Sequence, residues 1–134
     1  MVHIVLLYAG LLALLFVALS VRTLRMRRRL RIAVGDAGNQ AMLRAMRVHA
    51  NFAEYVPLTL LLIYLVESTG AGSLFVHALG TSLVVGRVVH AAGVSRVAEN
   101  YLFRVAGMTL TLVPLVAAAI RLLQVFAAGG ALPP

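Results

Sequence analysis

The chain has 134 residues, 62% of them hydrophobic and only 12% charged, with a mean hydropathy of +0.98. A soluble domain carries about 25% charged and about 45–50% apolar residues, so this composition excludes a water-soluble globular fold and indicates an integral membrane protein. The formal charge of +8 comes from arginine alone; half of the arginines fall in residues 22–31, directly after an apolar run, which marks topology and not a nucleic-acid surface.

Taken in chain order, the first apolar run covers residues 2–21. Its positive charge follows the apolar core instead of preceding it, so it reads as a retained helix and not a cleaved leader. Residues 22–40 form the expected polar connection, with the Arg cluster and then Gly35, Asp36, Ala37, Gly38 and Asn39, a turn-rich stretch. Asn39 is the expected N-cap of a second helix over residues 40–67, with Pro57 inside it as an expected kink. A short uncharged loop leads to a third helix over residues 74–92. A polar loop with Arg96 and Glu99 leads to a fourth over residues 102–127. The fold class is therefore all-α, a single membrane domain of four transmembrane helices. The loops after the first and third helices carry arginine and the loop after the second carries none, which places both termini outside and both Arg loops in the cytoplasm.

The polar residues inside these helices fall at one level. Arg47, Asn51 and Glu54 lie within roughly 60° of one another on a helical wheel, with Arg44 at the edge of the same face. Arg87 and His90 are spaced i, i+3 near the expected cytoplasmic end of the third helix. Arg104 stands at the start of the fourth, heading a stripe with Met108 and Thr111. Charged groups at a bilayer border are costly, so such a cluster is read as a functional site. Arginine's planar fork suits carboxylates, and a carboxylate among arginines can receive an ammonium. A ligand with two carboxylates and one amine fits this set, and glutathione has that pattern. The competing structural readings are an Arg47–Glu54 pair that fixes packing, and Arg87 and Arg104 snorkelling to the interface. His49 points away from Arg47 and reads as packing; His3 and His77 read as incidental. With no cysteine in the chain, thiolate chemistry and Cys-based metal sites are excluded, and no metal site is expected.

At these residues the chain resembles the MAPEG family, the membrane-associated proteins of eicosanoid and glutathione metabolism. Arg47-Val-His49-Ala-Asn51-Phe-Ala-Glu54-Tyr-Val-Pro57 looks like the family's Arg-x-His-x-Asn-x-x-Glu segment ahead of a proline. Gly86-Arg87-Val-Val-His90 is similar to the stretch of its third helix, and Arg104 to the arginine at the start of its fourth. The resemblance implies a homotrimer of four-helix subunits in the bacterial inner membrane. It implies glutathione bound between subunits near the cytoplasmic face, with Asn51 and Glu54 on the peptide and Arg47, Arg87 and His90 lining or bracing the site. Arg104 would stand near the thiol and favour its thiolate. The activity implied is glutathione transfer to hydrophobic electrophiles, or reduction of lipid hydroperoxides. The chain departs from the pattern at Ala50, where several catalytic members have a second arginine, and at Val94 and Met108, where tyrosine is common. Thr109 and Thr111 are the nearby hydroxyls in sequence. A non-catalytic lipid- or glutathione-binding protein on the same fold is the alternative. A small multidrug transporter using Glu54 as a proton-coupled cation site is a third reading, opposed by the arginines around that carboxylate.

Overall fold

A computed structural model describes residues 3–95, 98 and 100–129. Four α-helices follow one another: α1 Val5–Leu30, α2 Gln40–Ser68, α3 Ser73–Val94 and α4 Tyr101–Ala127. Among the described residues there is no strand. All four helices are long and apolar enough to cross a membrane. Large apolar side chains such as Leu14, Leu102 and Leu123 lie exposed along their outer faces, as expected of a bundle whose solvent is lipid.

The helix starts follow their local chemistry. The Asn39 side chain accepts from the Met42 amide at 3.0 Å and the Asn100 side chain from the Phe103 amide at 3.2 Å, so each asparagine caps the helix that follows it. The loop ahead of α2 turns through positive φ at Gly35, Ala37 and Gly38, where an Asp36 carboxylate oxygen accepts from the Gly38 amide. α2 runs unbroken through Pro57.

One expectation is corrected at α1. The helix does not stop before the Arg cluster but continues through it to Leu30, ending on Arg31 in the left-handed region at φ 55°. Arginine is a good helix former, and Arg27, Arg28 and Arg29 in the last turn face the negative end of the helix dipole, so the charges extend the helix instead of breaking it. A second correction concerns His3 and His77. The Tyr8 hydroxyl meets His77 Nδ1 at 2.8 Å and Thr81 Oγ1 at 2.9 Å, which ties α1 to α3. His3 Nδ1 lies 3.7 Å from Glu67 Oε2, and the Glu67 carboxylate accepts from the Ile4 and Val5 amides. A carboxylate on α2 thus caps the start of α1, where amides lack helical partners.

α3 and α4 form the closest seam. A Cβ added at Gly86 would stand 3.0 Å from the Gly107 carbonyl oxygen, one at Gly93 2.8 Å from the Arg104 amide, and one at Gly107 2.6 Å from His90 Cα. Glycine at these three positions lets the two backbones touch, the small-residue packing that holds helices together where lipid removes the hydrophobic drive. Pro114 adds a second device to this seam. It has no amide to offer the Leu110 carbonyl one turn earlier, and the Ser82 hydroxyl of α3 donates to that carbonyl at 2.8 Å. An orphaned carbonyl inside a bilayer has no water to turn to. Ser82→Ala is therefore expected to destabilise the bundle by about 1–2 kcal/mol, and Ser82→Thr, which keeps the hydroxyl, by less. Thermal unfolding of the detergent-solubilised variants measures both.

Candidate functional site

α2 and α4 begin, and α1 and α3 end, at the same end of the bundle, where a cavity of about 350 Å³ opens. α2 supplies most of its wall. Gln40, Arg44, Arg47, Asn51 and Glu54 recur at helical spacing, with Leu43 and Ala50 between them. α3 adds His90 and Val94, and α4 adds Arg104. The site is positioned by elements already described. The Asn39 cap fixes the first turn of α2. The Asn100 cap puts Arg104 in the first turn of α4, and the Asn100 amide donates to the Gly93 carbonyl at 3.2 Å, closing α3 onto α4. Gly107 lets α4 lie directly against the His90 backbone.

Five of the six residues singled out from the sequence, Arg47, Asn51, Glu54, His90 and Arg104, line this one cavity. The sixth, Arg87, lies behind it. Its side chain is 2% exposed, with Nη1 donating to Asn51 Oδ1 at 2.7 Å and Nη2 3.6 Å from Met108 Sδ. Its Nε is buried and has no hydrogen-bond partner among the described residues. Arg87 is thus not a snorkelling interface residue; it braces Asn51 from within the bundle.

Arg47 and Glu54 do not form the packing pair considered above. Neither has an ion-pair partner among the described residues, and both are exposed at the cavity mouth. Three guanidiniums, those of Arg44, Arg47 and Arg104, therefore share the described wall with a single carboxylate. The exposed Arg47 offers a place for an anionic part of a guest, and Glu54 one for a cationic part of the same guest. Reasoning from spacing placed Arg44 only at the edge of the face and passed over Gln40. The stripe 40, 44, 47, 51, 54 was present at i, i+4, i+7, i+11 and i+14, and extending it one turn back toward Asn39 reaches both.

His49 packs on the far side of α2, as expected. Its ring stacks on Phe16 with centroids 4.7 Å apart, and Nε2 lies 3.0 Å from Ser20 Oγ. The Thr111 hydroxyl is committed to the Gly107 carbonyl at 2.8 Å, and neither Thr109 nor Thr111 reaches the cavity wall.

Comparison with known proteins decides the family. The MAPEG family pattern matches residues 5–124. The chain is also 36% identical over 105 residues to the inner membrane protein YecN of Escherichia coli strain K12, covering 78% of this chain and 79% of YecN. YecN of the O6:H1 strain CFT073 aligns with the same figures. The chain belongs to the MAPEG family. Its four apolar spans and its similarity to an inner membrane protein place it in the bacterial inner membrane. Within that family its departures fall at the site itself. Ala50 and Val94 stand on the cavity wall, and Met108 faces Arg87 instead of the cavity.

Proposed function

We propose that this MAPEG protein binds glutathione in the cavity between α2, α3 and α4 and uses it as a transferase or peroxidase acting on hydrophobic electrophiles or lipid hydroperoxides. The observation that carries the proposal is the cavity's donor set. Arg47 and Glu54 stand at its mouth without a protein partner among the described residues, beside Asn51 held in place by Arg87. Glu54 accepts the ligand's ammonium, Arg47 pairs with a carboxylate, and the Asn51 amide nitrogen donates to the peptide, its oxygen being taken by Arg87.

Arg104 acts on the thiol. A fixed cation favours thiolate over thiol, so the proton leaves to solvent and the sulfur becomes nucleophilic. In transfer, the thiolate forms a carbon–sulfur bond as the electrophile's leaving group departs. In peroxide reduction, the thiolate attacks the distal oxygen of a lipid hydroperoxide and releases the lipid alcohol. The hydroxyl passes to sulfur as a sulfenic acid, and the departing alkoxide takes a proton from solvent. A second glutathione thiol then displaces water from the sulfenic acid, giving the disulfide. The cavity end faces the cytoplasm, as the arginine distribution supports, and the exposed first turns of α4 from Tyr101 meet a neighbouring copy in a homotrimer.

A second reading, binding without catalysis, is favoured by one specific observation. No hydroxyl stands among the described residues of the cavity wall, and Ala50 and Val94 are apolar. One experiment tests both. Isothermal titration of detergent-purified protein with glutathione is expected to give saturable binding, with Kd raised tenfold or more in Arg47→Ala and in Glu54→Ala, the scale of losing a charged hydrogen bond. Unchanged binding in both variants removes the site. Binding without thiol consumption across a panel of electrophiles and lipid hydroperoxides selects the second reading.

A further inference from the structure

A second polar feature at the cavity end of this bundle is the Arg cluster, and its six arginines do not do the same thing. Arg22 is committed inward: Nη1 donates to Ser95 Oγ at 2.8 Å and Nη2 to the Ser95 carbonyl at 3.2 Å, tying α1 to the end of α3. Arg27 is committed to the connection, donating to the Ala33 and Gly35 carbonyls at 3.3 and 3.1 Å. Arg25 and Arg29 are different. They stand one turn apart on α1, are exposed, and have no protein partner among the described residues. Both line a groove of about 600 Å³ between the end of α1 and the start of α2.

The rest of that groove is mostly apolar. Ala18, Val21, Met26 and Leu30 of α1 and Ala41 of α2 line it beside Arg25, Arg29 and the Arg22 already committed to Ser95. The groove lies on the opposite flank of the first turn of α2 from the glutathione cavity: Asn39 and Ala41 face it, whereas Gln40, Leu43 and Arg44 face the other. The depth follows from helix geometry. α1 has 26 residues. At about 1.5 Å per residue an α-helix of that length spans about 39 Å, beyond a hydrocarbon core of about 30 Å, so its Arg-bearing turns reach the headgroup layer.

We propose that this groove is a binding site for an anionic phospholipid, the phosphodiester held by Arg25 and Arg29 and the upper acyl chain lying along Val21 and Ala18, which stand further into the bilayer on the same helix. Two adjacent guanidinium forks match a phosphate's oxygens, and the carbons below them match a chain and not a soluble anion. The occupant carries negative charge because the described residues that line the groove include arginines and no carboxylate. The site is separate from the glutathione cavity and stands whether or not that cavity is catalytic.

The test uses the full-length protein reconstituted in phosphatidylcholine vesicles with a small fraction of spin-labelled phosphatidylglycerol, whose motionally restricted population reports association. Wild type is expected to select phosphatidylglycerol over labelled phosphatidylcholine. Arg25→Gln/Arg29→Gln is expected to lose roughly tenfold or more of that selectivity, at the usual strength of arginine near an anionic surface. Arg28→Gln/Arg31→Gln removes the same charge outside the groove and is expected to keep most of it. Equal losses in the two double variants would mean a diffuse surface field and overturn the site, as would no loss in either. Glycerol phosphate added at millimolar concentration is expected not to displace the lipid; displacement would show a headgroup site without the chain contact and overturn the proposal as stated.

Discussion

Gly107→Ala is expected to be among the most damaging single-methyl changes in this protein. The added Cβ would stand 2.6 Å from His90 Cα, an atom of a backbone that cannot rotate away, and 2.6 Å from the Cβ fixed to it. The two helices must separate, and the seam at Gly86 and Gly93 separates with them, because those glycines lie on the same α3 face against the same α4. Overpacking of this kind costs about 1–3 kcal/mol, which corresponds to a fall in midpoint of roughly 5–10 °C for a chain of this size. Function is expected to fall further than stability, since the displaced atoms carry His90 and, through the first turns of α4, Arg104. Glutathione affinity is therefore expected to drop in protein that is still folded at low temperature. Gly10→Ala is the control: a Cβ there meets nothing within 4 Å, and replacing an unobstructed mid-helix glycine is expected to stabilise by about 0.5–1 kcal/mol. Thermal unfolding and titration of both proteins in the same detergent check the contrast. Equal midpoints for the two would mean that the α3–α4 seam does not depend on backbone contact at Gly107.

What could be read from the chain, and what could not, follows from the range of the interactions involved. Four spans, the Asn39 cap and the stripe on α2 were legible because hydropathy, capping and the 3.6-residue period are local, and a single helix displays them in full. Convergence of Arg47, Asn51, Glu54, His90 and Arg104 was legible only as a level in the membrane. Depth follows from helix rise, but which faces meet depends on packing between helices. That is why Arg87, at the right depth, proves to stand behind the cavity with Asn51 between it and the space. The Ser82–Leu110 bond was latent in Pro114, which announces a carbonyl without its amide; the donor's identity is tertiary. The glycines of the seam were visible as residues, but no periodic signal tells that Gly86 meets Gly107 and Gly93 the first turn of α4. The end of α1 was misplaced for a different reason. Loss of hydropathy after residue 21 marks where lipid stops, and a helix with good formers and a favourable terminal charge continues past that point.

Asn51 and Arg87 give the second large effect, and its direction is asymmetric. Arg87 carries a guanidinium into a space where it is 2% exposed and, among the described residues, meets one oxygen, Asn51 Oδ1, and one sulfur, that of Met108. Its Nε is already without an acceptor. Asn51→Leu takes away the oxygen and leaves a buried cation with sulfur alone, at an expected cost of about 3 kcal/mol or more. Arg87→Leu removes the cation instead. Asn51 stands at an open cavity where water can reach its amide, so stability is expected to stay within about 1 kcal/mol of the parent or to rise. The double variant Arg87→Leu/Asn51→Leu is then expected to be more stable than Asn51→Leu alone, a coupling that two independent packing residues would not produce. Ligand binding sorts differently. With its brace gone, Asn51 is free to turn, so Arg87→Leu is expected to weaken glutathione about fivefold while leaving the fold intact, the cost of about 1 kcal/mol for one misdirected hydrogen bond. Denaturation midpoints for the three variants, with titrations on each, separate the two consequences. A destabilised Arg87→Leu together with an unaffected Asn51→Leu would reverse the assignment, making the guanidinium a structural anchor whose principal partner lies elsewhere.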